Sequence, residues 1–270
     1  MRTRKIFVLR FKKGLGLLVA ICVVGAFLYW SDSITSFLRI DNIALIFPTI
    51  TGVSIYLLKK MLEAPVLIAS YSHNEPMVKK NTHAIPSYKI IEDKLIRDSF
   101  NAEVYDFHFL VENFGFSSAN YVVADIVELW EENKSGELVK DKTWLPVPLR
   151  YHKNEFVQQV HRRRTYYWNI GAVYWPEDFK NQPVRNEYIW DDGSPTFRLD
   201  LWNPPSLQIR LRIDRVFGIK IFLYGENVKP EVIYLKIMWD GKWHDEKKEM
   251  FERIKIKQYS SIKTMRSRKD

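Results

Sequence analysis

The chain has 270 residues, a formal net charge of +9 and one cysteine, Cys22. The charge is uneven, because residues 64–252 hold 25 Lys and Arg against 28 Asp and Glu, and the basic excess belongs to the two ends. A nucleic-acid-binding domain would itself be basic, so we expect no nucleic-acid partner. The single cysteine lies within residues 14–30, so the domain that follows can form neither a disulfide nor a thiolate metal site.

Two uncharged apolar runs follow the basic N-terminus, at residues 14–30 and 42–58. A helix of this length rises about 26 Å, close to the ~30 Å hydrocarbon core of a bilayer. Flanking residues extend the first helix to about 7–30. The sequence therefore predicts an N-terminal two-helix transmembrane hairpin, with its basic tail, in residues 1–63. A cleaved signal peptide is the alternative for the first run, and a buried or re-entrant segment for the second.

Orientation follows from the basic residues in the short flanks of these runs. Residues 1–13 hold six Lys and Arg, the link 31–41 holds only Arg39, and Lys59 and Lys60 follow the second run. We predict a multi-pass protein of the cell membrane, with the lipid bilayer as a partner and both termini cytoplasmic. If only one run spans, the C-terminal domain changes sides.

From residue 65 onward, apolar residues recur with the period of two that is typical of strands. Strand patterns occupy residues 104–112, 121–131, 210–224 and 231–240, and 165–174 could form another. Short helical patterns lie near 88–100 and 245–254. We predict an all-β C-terminal domain over residues 64–259, folded as an antiparallel β-sandwich. Residues 260–270 lack periodicity and predict a basic, disordered tail.

Two segments resemble a known kind of domain. The segment 109–119 reads FLVENFGFSSA and is followed by Val122 and Val123. It resembles the V-x-N-x-G-x-x-x-A signature of prokaryotic immunoglobulin-like, adhesion-related domains. Residues 225–243 resemble the closing hairpin of immunoglobulin-like domains in uncharacterised prokaryotic membrane proteins. The resemblance implies an immunoglobulin-like β-sandwich anchored in a membrane, in which Asn113 and Gly115 shape a turn while Ala119 and the alternating valines face the core. The long middle, residues 145–202, matches no motif of that kind and is interpreted as an insertion.

The pattern of ionisable residues argues against an enzyme. The six histidines form no HExxH or other close metal pair, and we interpret all six as structural. The acidic pairs Asp191-Asp192 and Glu131-Glu132 fall in predicted turns, where carboxylates are usually solvated. Nucleophile-elbow, phosphate-loop and dinucleotide-binding motifs are absent. We therefore predict no catalytic residue, no cofactor and no metal site.

Two groups of residues are candidate interaction sites. Arg162, Arg163 and Arg164 would contact an anion or acidic lipid, although a charged, solvated strand edge explains them more simply. The long middle is rich in aromatic residues, which either fill the core or form a binding surface. The aromatic residues of this predicted interaction surface are Trp168, Trp175, Tyr188, Trp190 and Trp202.

These patterns predict a non-enzymatic, membrane-anchored interaction or scaffold protein that presents its sandwich to the cytoplasm and binds a protein partner. An envelope-facing module that binds glycan or a surface protein is an alternative. An accessory subunit of a membrane complex is another.

Overall fold

The fold is described by a computed structural model. It describes residues 64–91, 94–151, 156–182, 188–189, 193–202, 210–211 and 215–266, together with Gly52, Val53, Ile55, Tyr56 and Lys59.

The transmembrane prediction requires correction. Within the described residues, none of the helices combines the length and the apolar character needed to cross a bilayer. This finding contradicts the two-helix transmembrane hairpin and the multi-pass placement in the cell membrane with cytoplasmic termini. The apolar runs at 7–30 and 42–58 lie outside the described residues, apart from the few named above. Apolar runs of 17 residues are at the short end of the range that spans a bilayer, so hydropathy alone is a weak guide here.

The described chain consists mainly of β-strands. The strands are β1 (Leu67–Ser70), β2 (Val78–Ile91), β3 (Lys94–Asn113), β4 (Ala119–Glu132), β5 (Leu138–Lys140), β6 (Val147–Pro148), β7 (Phe156–Val160), β8 (Thr165–Tyr174), β9 (Phe197–Leu199), β10 (Arg210–Leu211), β11 (Phe217–Tyr224), β12 (Glu231–Met238) and β13 (Lys255–Tyr259). A 3₁₀ turn covers Pro176–Phe179, and two short α-helices follow late in the chain, α1 (Lys247–Arg253) and α2 (Ile262–Arg266).

The strands form two sheets. The first has the order β1-β3-β8-β9-β10, and β2 also pairs with β3. The second has the order β13-β12-β11-β4-β5, and β6 and β7 also pair with β4. The paired strands run antiparallel, as the alternating pattern predicts.

Side chains from both sheets belong to one hydrophobic core. Phe107 and Phe109 of β3 and Ile219 and Ile221 of β11 are buried in it, while the residues between them on each strand face outward. This arrangement of two antiparallel sheets around a shared core is compatible with the predicted β-sandwich. A smaller cluster of buried residues lies apart from it, and its members include Val104, Phe179 and Tyr188.

Four of the five strand patterns each match one strand, most with imperfect bounds, whereas the pattern at 210–224 covers both β10 of the first sheet and β11 of the second. The segment 165–174 is β8, and 104–112 and 121–131 lie within β3 and β4. The helical pattern near 245–254 corresponds to α1. The helical interpretation of 88–100 is wrong, because residues 88–91 belong to β2 and 94–100 to β3, and the two strands pair with Ser87 opposite Asp98.

The segment that carries the immunoglobulin-like resemblance forms a corner between the sheets. Asn113 ends β3, and Ala119 begins β4. Ala119 and Val122 are fully buried, as the resemblance implies, whereas Val123 is only partly buried. A Cβ on Gly115 would lie 2.4 Å from the carbonyl oxygen of Ala64, so this position requires glycine.

The C-terminal segment differs from the predicted disordered tail over 260–270. Five of these residues form α2, whose Met265 is fully buried in a small cluster with Trp130 and Leu138. Two apolar side chains, Ile262 and Met265, in a basic segment are too weak a pattern to reveal such docking.

Candidate functional site

The predicted aromatic surface is distributed over different environments. Trp168 is fully buried in the main core and stacks on Phe109, with the ring centroids 6.1 Å apart. Tyr188 is 8% exposed, whereas Trp202 is 38% exposed. Trp175 is partly exposed and stacks on the ring of Trp243.

Burial therefore removes Trp168 from any surface that a partner could touch. Trp190 lies outside the described residues. Of the four predicted residues that the structure describes, Trp202 is the most exposed and Trp175 is partly exposed.

The predicted anion contact lies in the turn between β7 and β8. Arg162, Arg163 and Arg164 are all exposed, and the Arg162 guanidinium lies 4.6 Å from the centre of the Phe116 ring. Arg163 has a φ of 59° and donates its backbone N–H to the carbonyl of Asn113. The three arginines project into solvent at this turn, which fits the simpler explanation of a charged, solvated loop.

A cavity of about 450 Å³ lies on the outer face of the first sheet. Its floor contains a cross-strand row in which Asp106 of β3 is opposite Ala172 of β8, and Ala172 is opposite Arg198 of β9. The neighbours Tyr105 and Phe107 are buried in the main core, so the alternation along β3 directs Asp106 to the other face. The methyl group of Ala172 leaves space between the two charged side chains.

An ion pair closes one side of the cavity. His83 Nε2 is 3.0 Å from Asp106 Oδ2, and Asn81 donates to the same oxygen over 2.6 Å. The other ring nitrogen, Nδ1, is 3.3 Å from the hydroxyl of Tyr174. The hydrogen bond to Asp106 raises the pKa of His83 above 6.5, although partial burial opposes it. Burial raises the pKa of Tyr174, so this phenol stays neutral.

A second carboxylate lies on the opposite side. Asp200 accepts a 2.7 Å hydrogen bond from Asn169 Nδ2 and lies 3.6 Å from Arg150 Nε. Arg150 also donates to the carbonyl of Leu201 over 3.3 Å. Burial raises the pKa of Asp200, an effect that Asn169 and the two arginines oppose.

Arg198 is held differently from these groups. Its guanidinium lies 4.3 Å from the centre of the Tyr188 ring, in a cation–π contact. Apart from the backbone pairing of β9, its guanidinium makes no hydrogen bond or ion pair with another of the residues that the structure describes. It lines the cavity, so its donors face the same space as His83 and Asp200.

Both ring nitrogens of His83 already have partners. They are engaged by Asp106 and Tyr174, so the ring has no free nitrogen with which to activate a serine or threonine. No cluster of three or more His, Cys, Asp or Glu able to hold a metal ion occurs among the described residues. The predicted absence of catalytic and metal residues remains a prediction.

Sequence reasoning missed this cavity, since it interpreted His83 as structural and did not select Asp106 or Arg198. The polar residues Asn81 and His83 alternate along β2, which is a visible signal. Their proximity to Asp106 and Asp200, however, depends on strand register and on the bulge between Phe107 and His108, which a single sequence does not reveal.

No protein-family model, curated protein or solved structure matches this chain. The immunoglobulin-like resemblance therefore depends on the motif residues alone.

Proposed function

We propose that this chain is a non-enzymatic binding module, an immunoglobulin-like β-sandwich whose ligand site is the cavity on the outer face of the first sheet. Two antiparallel sheets with a shared core support the sandwich, and the corner at Asn113 and Gly115 supports its immunoglobulin-like type.

The convergence of charged side chains in an open cavity is the observation that carries this proposal. His83, Asp106, Arg150, Arg198 and Asp200 come from widely separated parts of the chain and line the same space. Placing several charged groups in a half-buried cavity costs desolvation free energy. Ion pairs between the groups or a bound ligand can offset this cost. The volume falls within the range of small-molecule sites.

NMR spectra of the 270-residue chain, recorded with and without each of a panel of small polar probes, test whether the cavity binds a ligand. The panel contains glucose, glucuronate, N-acetylglycine, N-acetylglycine amide and ethanolamine. We expect at least one probe to shift the backbone amide signals of Gly171, Ala172 and Asp200. Turnover of a bound probe would contradict the non-enzymatic part of the proposal, and a panel without any shift at these amides would contradict the site.

A substitution that fills the cavity tests whether the probes bind there. Ala172→Phe places a ring on the cavity floor and should abolish the shifts. Val139→Phe is the control, because Val139 is 49% exposed on β5 of the other sheet and a larger side chain there meets solvent. Loss of probe binding in both variants would mean that the effect does not come from the cavity.

A further inference from the structure

We infer that the cavity binds a small monocarboxylate, with Arg198 as the anchoring cation; this rests on the proposed function.

The two acidic side chains of the cavity already have partners. Asp106 accepts from Asn81 and pairs with His83, and Asp200 accepts from Asn169 and lies beside Arg150. A cationic ligand would have to compete with these partners for the same carboxylates. The cavity is therefore a poor site for an ammonium group alone.

Arg198 is the cavity cation whose donors lack a described partner. A guanidinium carries five N–H donors in a planar fork that matches both oxygens of a carboxylate. The cation–π contact with Tyr188 restrains the guanidinium without using any of its N–H groups. An incoming carboxylate would satisfy two donors at once through charge-assisted hydrogen bonds, and the restraint lowers the entropy that is lost on binding.

The other charges of the cavity favour one negative charge on the ligand over two. Asp106 and Asp200 would repel a dianion such as a phosphate monoester. Arg150 Nε is buried without a hydrogen bond, and His83 adds positive charge when it is protonated, so a single carboxylate has favourable neighbours.

Hydroxyl or amide groups of the ligand, next to its carboxylate, would donate hydrogen bonds to the remaining acceptors of the cavity. Each Asp oxygen can accept more than one hydrogen bond, and the hydroxyl of Tyr174 lies close to His83. A sugar acid and the carboxyl terminus of a peptide both carry a carboxylate with adjacent hydrogen-bond donors. We therefore assign this shared group, and not one of the two compounds, to the cavity.

Calorimetric titration of the full chain with two matched probe pairs tests this inference. N-acetylglycine is compared with its amide, and glucuronate with glucose. In each pair that binds, the dissociation constant of the carboxylate should be lower than that of its neutral counterpart by a factor of about ten or more. A preference for N-acetylglycine would indicate a peptide carboxyl terminus, and a preference for glucuronate a sugar acid.

Variants of Arg198 connect the effect to one side chain. Arg198→Gln should weaken carboxylate binding by about tenfold or more, and Arg198→Lys should weaken it less, because lysine keeps the charge but not the fork. Arg162→Gln, at the exposed turn, should bind like the wild-type chain. Thermal unfolding of each variant shows whether the fold survives; if Arg198→Gln unfolds, the lysine variant alone decides.

The outcomes separate this inference from the proposed function. Equal affinity for charged and neutral probes, or carboxylate binding that does not change in a folded Arg198 variant, overturns the monocarboxylate assignment while leaving a binding module. Failure of every probe in the panel to bind overturns both.

Discussion

At the scale of single residues, Asn113 is the clearest link between the sequence motif and the fold. Its side-chain oxygen accepts from the backbone N–H groups of Val66 and Gly115, and its amide donates to the carbonyls of Ser117 and Val160. Asn113 is fully buried. One side chain therefore satisfies four backbone groups where the chain passes from the first sheet to the second.

We expect Asn113→Ala to lower the free energy of unfolding by about 2–4 kcal/mol, because several buried backbone groups lose their partner. Urea unfolding measures this change. Asn133→Ala is the control, since Asn133 accepts from Ser135 and Glu137 in an exposed turn where water can replace it, and its cost should stay below about 1 kcal/mol. Equal costs for the two variants would contradict the role assigned to Asn113.

Two of the partly buried histidines, His73 and His83, should make opposite contributions to the pH dependence of stability. The pKa of His83 is raised by Asp106, so the stability gained from its proton is fully present below about pH 6.5 and is lost as the pH rises through the raised value. Burial lowers the pKa of His73, which therefore costs stability as the pH falls through about 6.5.

Unfolding at about pH 5.5 and about pH 8.5 tests both signs. The stability difference between the wild-type chain and His83→Gln should be larger at the acidic pH. The difference between the wild-type chain and His73→Gln should be larger at the basic pH. The same trend in both variants would mean that the ion pair with Asp106 does not control the charge of His83.

At the scale of elements, the last helix packs against the second sheet through the fully buried Met265, with the partly buried Ile262 beside it. Met265 of α2 is fully buried with Trp130 and Leu138, and its methyl group lies where a Cβ on Gly218 would be only 2.7 Å away. Gly218 therefore provides the space that Met265 occupies. The neighbouring residues Lys263 and Thr264 are exposed.

Met265→Ala should lower the free energy of unfolding by about 2–4 kcal/mol, the usual cost of emptying a buried methionine site. Lys263→Ala, on the exposed side of the same helix, should have little effect. Chemical unfolding of both variants measures the difference. A neutral Met265→Ala would mean that α2 does not contribute to the stability of the sheet.

Elements with a strong local pattern could be predicted from the sequence. The alternation in 165–174 and 231–240 is enough to identify β8 and β12. The ribbon near 88–100 has no such clear period, because long-range pairing with the opposite strand decides its state. The apolar runs near the N-terminus show the reverse case, where a strong pattern led to a transmembrane prediction that the described residues contradict.

At the scale of the whole molecule, the candidate site depends on contacts between distant parts of the chain. His83 and Tyr174 are 91 positions apart, yet their polar atoms lie within hydrogen-bonding distance. The sequence predicts an all-β domain but not which strands are neighbours, so it could not assemble this cavity. The domain bounds of 64–259 remain a prediction.

A crystal structure of the full-length chain soaked with N-acetylglycine is the most direct test of the central claim, that the cavity is a ligand site anchored by Arg198. We predict the probe inside the cavity, with both carboxylate oxygens within about 3.2 Å of the Arg198 guanidinium nitrogens. A probe bound at the exposed turn of Arg162, Arg163 and Arg164, or a cavity without the probe, would contradict the claim.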